Sequence, residues 1–410
     1  MEFKIPQEAI DSIAKHINER NNKSYSIPTV GAATNIETPQ IFEIVPFEEI
    51  DNADMRAFAV DGSKNSHSFY NGASLGLYRG GYVCFDRGKQ VRLNDSKDPV
   101  ILGKSYSPIN ILVTCDDHVS AIYDELLTLP PVANFVSFLS DPIADVFAYD
   151  KEVLCRSLST LLDFCQEVLE WSLIYEIVNG NKIKEGDIVL KDGTLRSLNI
   201  KQKYLVKLGR LAAQKKVRLV GITKNSPIKM ELSYTFKQID SYLQDQLKPK
   251  YPFKQTDPRR QKLCCWFEVS DPVLRNSYGG GAMYAHKGLT GGRGVGLFFA
   301  ARLDYVEKLQ NYDWVVADLN IFDAIPEIEQ GNLTRHYDKL KATFLDLTRF
   351  TQEHYILGYP YPLVEAHNFV TLSKDFKEEV INRVKHSMYQ SQHMDHIDIE
   401  NMFLDIHSRF

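Results

Sequence analysis

Two aspartates with the same local pattern are the residues of this chain best placed to perform chemistry. Asp61 follows the apolar run 57–60 and Asp192 follows the short β-branched run 188–190, and a glycine comes directly after each. Carboxylates at neighbouring strand ends converge on one edge of an open α/β sheet. Their oxygens are the ligands that Mg²⁺ and Mn²⁺ prefer. One Asp-Gly pair usually marks only a turn, but the repeated pattern indicates a divalent-metal site.

The spacing of apolar residues predicts the elements that position these aspartates. The apolar run 57–60 predicts a strand that stops at Asp61 and turns at Gly62, and further strands are predicted at 73–85, 91–93 and 109–114, partly antiparallel, with a bulge or bend at Gly80-Gly81. Helical spacing predicts a long helix over 151–178 and another over 204–216, with strands at 188–190 and 217–222. This order of strands and helices is typical of an α/β fold whose sheet is at least partly parallel.

The rest of the chain is predicted to surround this core. Residues 227–296 are predicted to be an irregular insertion, with a basic, aromatic-containing stretch at 248–262 and a glycine-rich segment at 279–296. Basic residues among aromatic ones suit single-stranded nucleic acid. Strands at 297–299 and 314–316 and a helix at 333–354 follow. We predict an extension at 1–54 with a helix at 5–20, a main domain at 55–375 and a helical tail at 376–410.

Bulk composition limits the class of protein without identifying a substrate. Hydrophobic residues make up 44% and charged residues 25% of the 410 residues, an ordinary globular balance. The net charge of −5 does not exclude nucleic acid, because basic residues can gather in one groove. None of the six cysteines forms a CxxC pair, and no apolar run approaches the roughly 20 residues of a membrane span. We therefore expect a cytoplasmic protein with reduced thiols and no membrane association.

Four motifs, taken in order, resemble those of the NurA nucleases. They are Ala59-Val60-Asp61-Gly62-Ser63, Asp192-Gly193-Thr194-Leu195, Gly221-Ile222-Thr223-Lys224, and Gly358-Tyr359-Pro360 with Ala366-His367, and together they span roughly residues 55–375. The resemblance implies an α/β, RNase H-like core with a mixed sheet flanked by helices and with inserted elements. It implies a Mn²⁺- or Mg²⁺-dependent DNA exonuclease and single-strand endonuclease. It also implies a homodimer that docks on a HerA-type hexameric ATPase during DNA end processing or anti-phage defence.

The resemblance assigns metal-binding roles to carboxylates. Asp61 matches the first metal-binding aspartate of the family and Asp192 the second. A glutamate on the intervening helix completes the family set, and three residues compete for that role. Glu170 is favoured because a tryptophan and an apolar turn follow it, whereas Glu176 lies nearer to the usual family spacing and Glu167 is a third candidate. The predicted metal ligands are thus both aspartates, Glu170 and His367.

The remaining predicted site residues lie on the later motifs. His367 matches the C-terminal histidine of the family, which could bind metal or steer a phosphate or a water. Tyr359 is the favoured family tyrosine, with Tyr361 as the alternative. Lys224 follows the strand predicted at 217–222 and could contact a phosphate as a point charge, or could simply be a solvated lysine.

Two other functions share these residues. The chain could be a degenerate nuclease-fold subunit that docks on the ATPase, in which case metal would not stabilise it. It could also be an RNase H-like enzyme that acts on RNA or on DNA–RNA junctions, which cleavage of matched substrates would reveal. The intact carboxylate set favours an enzyme over a docking subunit.

Overall fold

The computed structural model describes residues 11–12, 14–15, 19, 42–45, 56–68, 74–87, 89–91, 103–106, 109–112, 116–243, 263–278, 294–304, 314–352, 358–390 and 396–402. The chain divides into two compact units. The first unit comprises Met1–Met55, Asp192–Arg196 and Arg218–Tyr361, and the second comprises Arg56–Lys191, Ser197–Val217 and Pro362–Phe410.

Among the described residues, six strands come before five helices, strands and helices then intermix up to Asn320, and helices follow. The strands are β1 (Phe42–Ile44), β2 (Arg56–Ser68), β3 (Ser74–Asp86), β4 (Lys89–Val91), β5 (Gly103–Tyr106), β6 (Ile109–Leu112), β7 (Ile188–Asp192), β8 (Arg218–Thr223), β9 (Cys265–Glu268), β10 (Gly296–Arg302) and β11 (Trp314–Asn320). The α-helices are α1 (Asp116–Thr128), α2 (Pro130–Leu139), α3 (Ile143–Val146), α4 (Lys151–Leu154), α5 (Leu158–Asn179), α6 (Gln202–Gln214), α7 (Pro227–Glu231), α8 (Ser233–Tyr242), α9 (Asp271–Tyr278), α10 (Ile321–Ala324), α11 (Tyr337–Gln352), α12 (Tyr361–Val370), α13 (Lys374–Gln390) and α14 (His396–Met402).

The second unit is built on a mixed sheet. Strands β2 and β3 pair antiparallel along their whole length, from Arg56 opposite Asp86 to Ser68 opposite Ser74. Strand β7 pairs with β2 in parallel, and β4, β5 and β6 each pair antiparallel with β3. The predicted α/β class, with a mixed sheet flanked by helices, is therefore confirmed.

Side chains of β2 and β3 alternate between two helical layers, as the pleat of a strand requires. Gly76 and Tyr82 face the long helix α5, because a Cβ at Gly76 would lie 3.0 Å from Leu158 and the Tyr82 hydroxyl donates to Glu176. The opposite face of β3 packs on α13 and on the segment before it, through an apolar cluster of Leu75, Leu77, Leu372, Val380 and Ile381. We call these two surfaces the α5 face and the α13 face.

The first unit contains an antiparallel sheet in the order β1-β9-β10-β11-β8. Trp266 of β9 stacks on Phe344 of α11 with ring centroids 4.6 Å apart. The adjacent Phe267 contacts Trp314, which stacks on Phe236 of α8 at 4.5 Å. Since neighbouring residues of a strand point to opposite faces, α11 and α8 cover opposite sides of this sheet.

The predictions for Gly80-Gly81 and for the helix over 151–178 are wrong. The predicted bulge at Gly80-Gly81 is absent, because Gly80 and Gly81 stay in the ladder opposite Gly62 and Asp61. Gly80 lacks a side chain because α5 packs directly on it, and a Cβ there would lie 2.7 Å from Leu169 Cγ. The helix predicted over 151–178 is divided, because Ser157 is extended (φ −143°) and separates α4 from α5.

The segment 227–296, for which the sequence predicts irregular structure, contains α7, α8, β9 and α9 and the start of β10. Strand β9 is four residues long and α9 eight, which is too short for apolar periodicity to identify them. Helices α1 and α2 were also missed. The pair Pro130-Pro131 obscured α2, although proline is well tolerated in a first helical turn.

Some predictions fall outside the described residues. These are the basic stretch 248–262, the glycine-rich residues 279–293 and most of the helix predicted at 5–20, of which residues 11–12, 14–15 and 19 are helical. The described cysteines are free thiols, and all of them except Cys155 are buried. Among the described helices, none has both the length and the apolar character needed to cross a bilayer.

Candidate functional site

Asp61 lies inside strand β2 and not at its end. The sequence predicts that the strand stops there and that Gly62 turns the chain, but β2 continues to Ser68. Gly62 lacks a side chain for a different reason. A Cβ at this position would lie 2.7 Å from both Gln166 Cγ and Glu170 Oε1 of α5. The glycine therefore allows α5 to approach the strand beside Asp61.

The carboxylate of Asp61 is buried and hydrogen-bonded. Its Oδ1 accepts from the Gly62 N–H at 2.7 Å, and its Oδ2 lies 2.8 Å from Nδ1 of His367 on α12. A carboxylate can only accept, so Nδ1 carries the proton of this bond. In a neutral imidazole the other nitrogen, Nε2, then has a free lone pair. The His367 side chain is 59% exposed, so the ring is accessible to a ligand.

The segment that follows α12 is tied to β2 beyond Asp61. The Leu372 N–H donates to Ser63 Oγ at 3.1 Å, and Asn65 Nδ2 donates to the Leu372 carbonyl at 3.2 Å. The side chains of Ser63 and Asn65 lie on the α13 face. They share this face with Asp61 because alternate residues of a strand point to the same side. These bonds hold the helix that carries His367 against the strand that carries Asp61.

Asp192 is the last residue of β7, and a tight turn follows it. Gly193 has a φ of +98°, which an L side chain rarely adopts, and its N–H donates to the Ile222 carbonyl at 2.8 Å. The Leu195 N–H donates at 2.8 Å to Oδ2 of Asp318, a buried carboxylate of β11. The turn predicted from Asp-Gly is thus confirmed at Gly193, while it is wrong at Gly62.

Tyr359 orients the Asp192 carboxylate. The fully buried tyrosine places its hydroxyl 2.9 Å from Asp192 Oδ1 and 3.1 Å from the Ile222 carbonyl oxygen. A hydroxyl has one proton, and the charged carboxylate is the stronger acceptor. The exposed Lys224 places its ammonium 3.9 Å from the centroid of the Tyr359 ring. Tyr361, the alternative tyrosine, is the partly exposed first residue of α12.

Glu170 meets the sheet on the α5 face. Its carboxylate is buried, and Oε2 forms an ion pair with Lys191 Nζ at 2.7 Å. Gln166 Nε2 lies 3.0 Å from Glu170 Oε1 and 3.0 Å from the Gly62 carbonyl. Asp61 is the strand neighbour of Gly62, so its side chain starts toward the opposite face. The described hydrogen bonds and ion pairs therefore join Glu170 to Lys191 and not to Asp61.

The two alternative glutamates are also engaged elsewhere on α5. Glu176 accepts a hydrogen bond from Tyr82 at 3.4 Å and lies six residues beyond Glu170, about 9 Å further along the helix. Glu167 accepts a hydrogen bond from Asn199, and burial raises the pKa of its carboxyl.

Two basic residues near the candidate site, Lys191 and Arg79, were not identified from the sequence. Lys191 stands in a buried strand, and an ionisable residue in such a run signals a partner, since lysine is almost never buried unpaired. Arg79 lies opposite Ser63 in the β2–β3 ladder, with its guanidinium 5.8 Å from the ring centroid of Phe369 on α12. Burial lowers the pKa of Arg79, and none of the described ion pairs includes it.

No protein-family model and no curated protein sequence matches the chain. Among solved structures, the chain is similar to the catalytic domain of human endonuclease V, at 10% identity and a TM-score of 0.27, covering 93% of this chain and 99% of that one. It is also similar to NurA with manganese, at 12% identity and a TM-score of 0.30, covering 92% of this chain and 96% of that one. NurA bound to dAMP and manganese matches at 11% identity and a TM-score of 0.27, over 90% and 94%. Likenesses at these levels assign neither substrate nor activity to this chain.

Proposed function

We propose that this protein is a divalent-metal-dependent nuclease that hydrolyses phosphodiester bonds in DNA. The proposed metal ligands are one atom each from Asp61, Asp192 and His367. The observation that carries the proposal is the parallel register of β2 and β7, in which Val60 lies opposite Lys191 and the next residue of each strand is an aspartate. The contact between Asp61 and His367 brings an imidazole, whose second nitrogen could bind the metal, beside the first carboxylate.

Strand geometry supports the proposal that the side chains of Asp61 and Asp192 leave their strands toward the same face. The Lys191 side chain reaches Glu170 on the α5 face. Asp192 is the next residue of β7, so its side chain leaves that strand toward the opposite face. Asp61 also has its partner, His367, on the face opposite α5.

The donor chemistry fits a divalent ion. Carboxylate oxygens suit Mg²⁺ and Mn²⁺, whereas an imidazole nitrogen suits transition-metal ions better than Mg²⁺. When bound, such an ion supplies positive charge that polarises a phosphodiester and lowers the pKa of the attacking water. We therefore propose Mn²⁺ or Mg²⁺ as the cofactor.

Several side chains of the protein would assist hydrolysis of the phosphodiester. Asp61 holds the His367 ring through Nδ1, which leaves Nε2 to bind the metal or to accept a proton. Tyr359 orients the Asp192 carboxylate. Lys224 forms no ion pair with a described residue, so its ammonium is available to a phosphate of the substrate.

The direct test is cleavage of end-labelled DNA by the purified protein with Mn²⁺, with Mg²⁺, and with a chelator. We expect cleavage with metal and none with the chelator, and matched RNA should be cleaved more slowly. We also expect Mn²⁺ at a hundred times its Kd to raise the free energy of unfolding by about 2.7 kcal/mol. Absence of both cleavage and stabilisation would overturn the proposal and favour the degenerate docking subunit.

The resemblance of the four ordered motifs also supports a partner. We propose that the protein works as a homodimer with a HerA-type hexameric ATPase during DNA end processing or anti-phage defence. Light scattering of the purified chain tests the dimer. Co-purification with the ATPase, and cleavage of DNA ends with and without it, test the partnership.

Tyr359→Phe tests the orientation of Asp192. The variant loses the hydroxyl that lies 2.9 Å from Asp192 Oδ1. We expect kcat to fall about tenfold with little change in KM, as for other residues that orient a metal ligand. The control is Tyr204→Phe, which removes a comparable tyrosine–aspartate hydrogen bond of 2.6 Å to Asp141. Equal kcat values in both variants would contradict the orienting role.

Arg79→Gln tests a substrate contact on the α13 face. Arg79 stands opposite Ser63, two residues beyond Asp61 in β2, and has no ionic partner among the described ion pairs. If it contacts a phosphate, its loss should weaken DNA binding and reduce the slope of log affinity against log salt by about one. Lys216→Gln, at an exposed lysine paired with Glu185, should leave that slope unchanged. An unchanged slope in Arg79→Gln would show that the guanidinium does not reach the DNA.

A further inference from the structure

A buried ion pair lies directly behind the second aspartate. Lys191 Nζ and Glu170 Oε2 are 2.7 Å apart, and their side chains are only 7% and 6% exposed. Removing two charges from water is costly, and breaking such a pair leaves an uncompensated buried charge. An apolar pair of similar volume would stabilise the fold as well, so stability alone does not account for it.

The pair belongs to a network that connects α5 to the two strands that carry the aspartates of the candidate site. Lys191 precedes Asp192 in β7, and Glu170 is on α5. Gln166, one turn before Glu170, contacts both the Glu170 carboxylate and the Gly62 carbonyl at 3.0 Å. Gly62 has no Cβ, which leaves room for both side chains. The network therefore joins α5 and β7 to β2 beside Asp61.

We propose that Lys191 and Glu170 form a positioning pair that sets the end of β7 against β2 and so fixes where Asp192 lies relative to Asp61. Glu170 acts through Lys191 and is not itself a metal ligand. The inference rests on the proposed function, since it assigns these residues a role in the same metal site. It differs from the family expectation, in which a glutamate of this helix completes the carboxylate set.

A double-mutant cycle distinguishes whether Glu170 binds the metal itself or positions Asp192 through Lys191. We compare Lys191→Met, Glu170→Gln and the double variant, measuring Mn²⁺ affinity by calorimetry together with kcat and KM for DNA cleavage. Each single variant leaves one buried charge unpaired and should weaken Mn²⁺ binding about tenfold, as loss of an outer-shell partner does. The double variant leaves no charge at the pair, and its Mn²⁺ affinity should return to within about threefold of wild type.

Two further variants keep the test decisive. Lys191→Arg retains the charge and should keep Mn²⁺ affinity near that of wild type, even if Lys191→Met fails to fold. The double variant Lys64→Met/Asp163→Asn removes a different ion pair, one that joins β2 to α5, whose side chains are 31% and 59% exposed. We expect this matched control to leave Mn²⁺ affinity and kcat unchanged.

Different failures lead to different conclusions. If Glu170→Gln abolishes Mn²⁺ binding and the double variant does not recover it, Glu170 is a ligand and the inference is overturned. It is also overturned if all variants of the pair bind Mn²⁺ like wild type. Wild-type protein that binds Mn²⁺ without cleaving DNA would overturn only the nuclease proposal, because the affinity cycle still reports on the pair. Absence of Mn²⁺ binding by wild type would overturn both.

Discussion

Asp61→Asn and Asp192→Asn should each reduce DNA cleavage by at least ~10³-fold, equivalent to about 4 kcal/mol of transition-state stabilisation. Asparagine keeps the shape of the side chain and one carbonyl oxygen. His367 can still donate to position 61 and Tyr359 to position 192, so the local hydrogen bonds remain. The change removes the negative charge that would hold a divalent ion. We therefore expect loss of activity without loss of the fold.

The measurement combines cleavage of end-labelled DNA with thermal unfolding in the presence and absence of Mn²⁺. Both variants should unfold near the wild-type temperature without metal and should lose the stabilisation by Mn²⁺. Asp124→Asn is the control, because that exposed carboxylate is paired with Lys151 at 2.7 Å. Wild-type cleavage by either site variant would exclude the assigned metal ligands.

Gly221→Ala should destabilise the first unit by about 3 kcal/mol, the upper part of the usual range for overpacking. A Cβ at Gly221 in β8 would lie 2.5 Å from the Gly193 carbonyl oxygen and 3.0 Å from the Leu195 backbone nitrogen. Backbone atoms cannot rotate away as a side chain does. The turn that follows Asp192 must therefore move, and cleavage should fall together with stability.

Gly62→Ala is the matched comparison for this prediction. The atoms that a Cβ would meet there belong to the flexible side chains of Gln166 and Glu170. We expect a smaller loss of stability, of about 1 kcal/mol, with a measurable loss of Mn²⁺ affinity because the positioning pair shifts. The midpoint of thermal unfolding checks both variants. Equal midpoints for Gly221→Ala and wild type would mean that the turn at 193–195 does not pack on β8.

Local sequence patterns were sufficient to identify the main elements near the site. The apolar run before Asp61, the β-branched run before Asp192 and the helical periodicity up to Val178 each predicted the correct type of element. The reason is that burial of one face imposes a period of two on strands and 3.6 on helices, and both periods can be read along the chain. The strand–helix–strand order likewise predicted parallel pairing, which β2 and β7 show.

Local sequence patterns did not predict where these elements end or which other elements they pack against. An aspartate followed by glycine looks alike at 61 and at 192, yet Gly193 makes a turn with positive φ and Gly62 accommodates a helix. What distinguishes them is α5, which begins almost a hundred residues after Gly62. Short elements such as β9 also depend on tertiary packing, because four residues contain too little periodicity to identify a strand.

By itself, the sequence determined which residues could bind a metal: two aspartates that follow apolar runs, a histidine in a distant motif and a glutamate on the helix between the aspartates. Only the tertiary structure decided how these groups pair. It joins Asp61 to His367 and Glu170 to Lys191. The physical reason is that strand register and helix packing decide which face a side chain occupies. A carboxylate then pairs with whichever cation or donor lies on that face, however far away it is in the sequence.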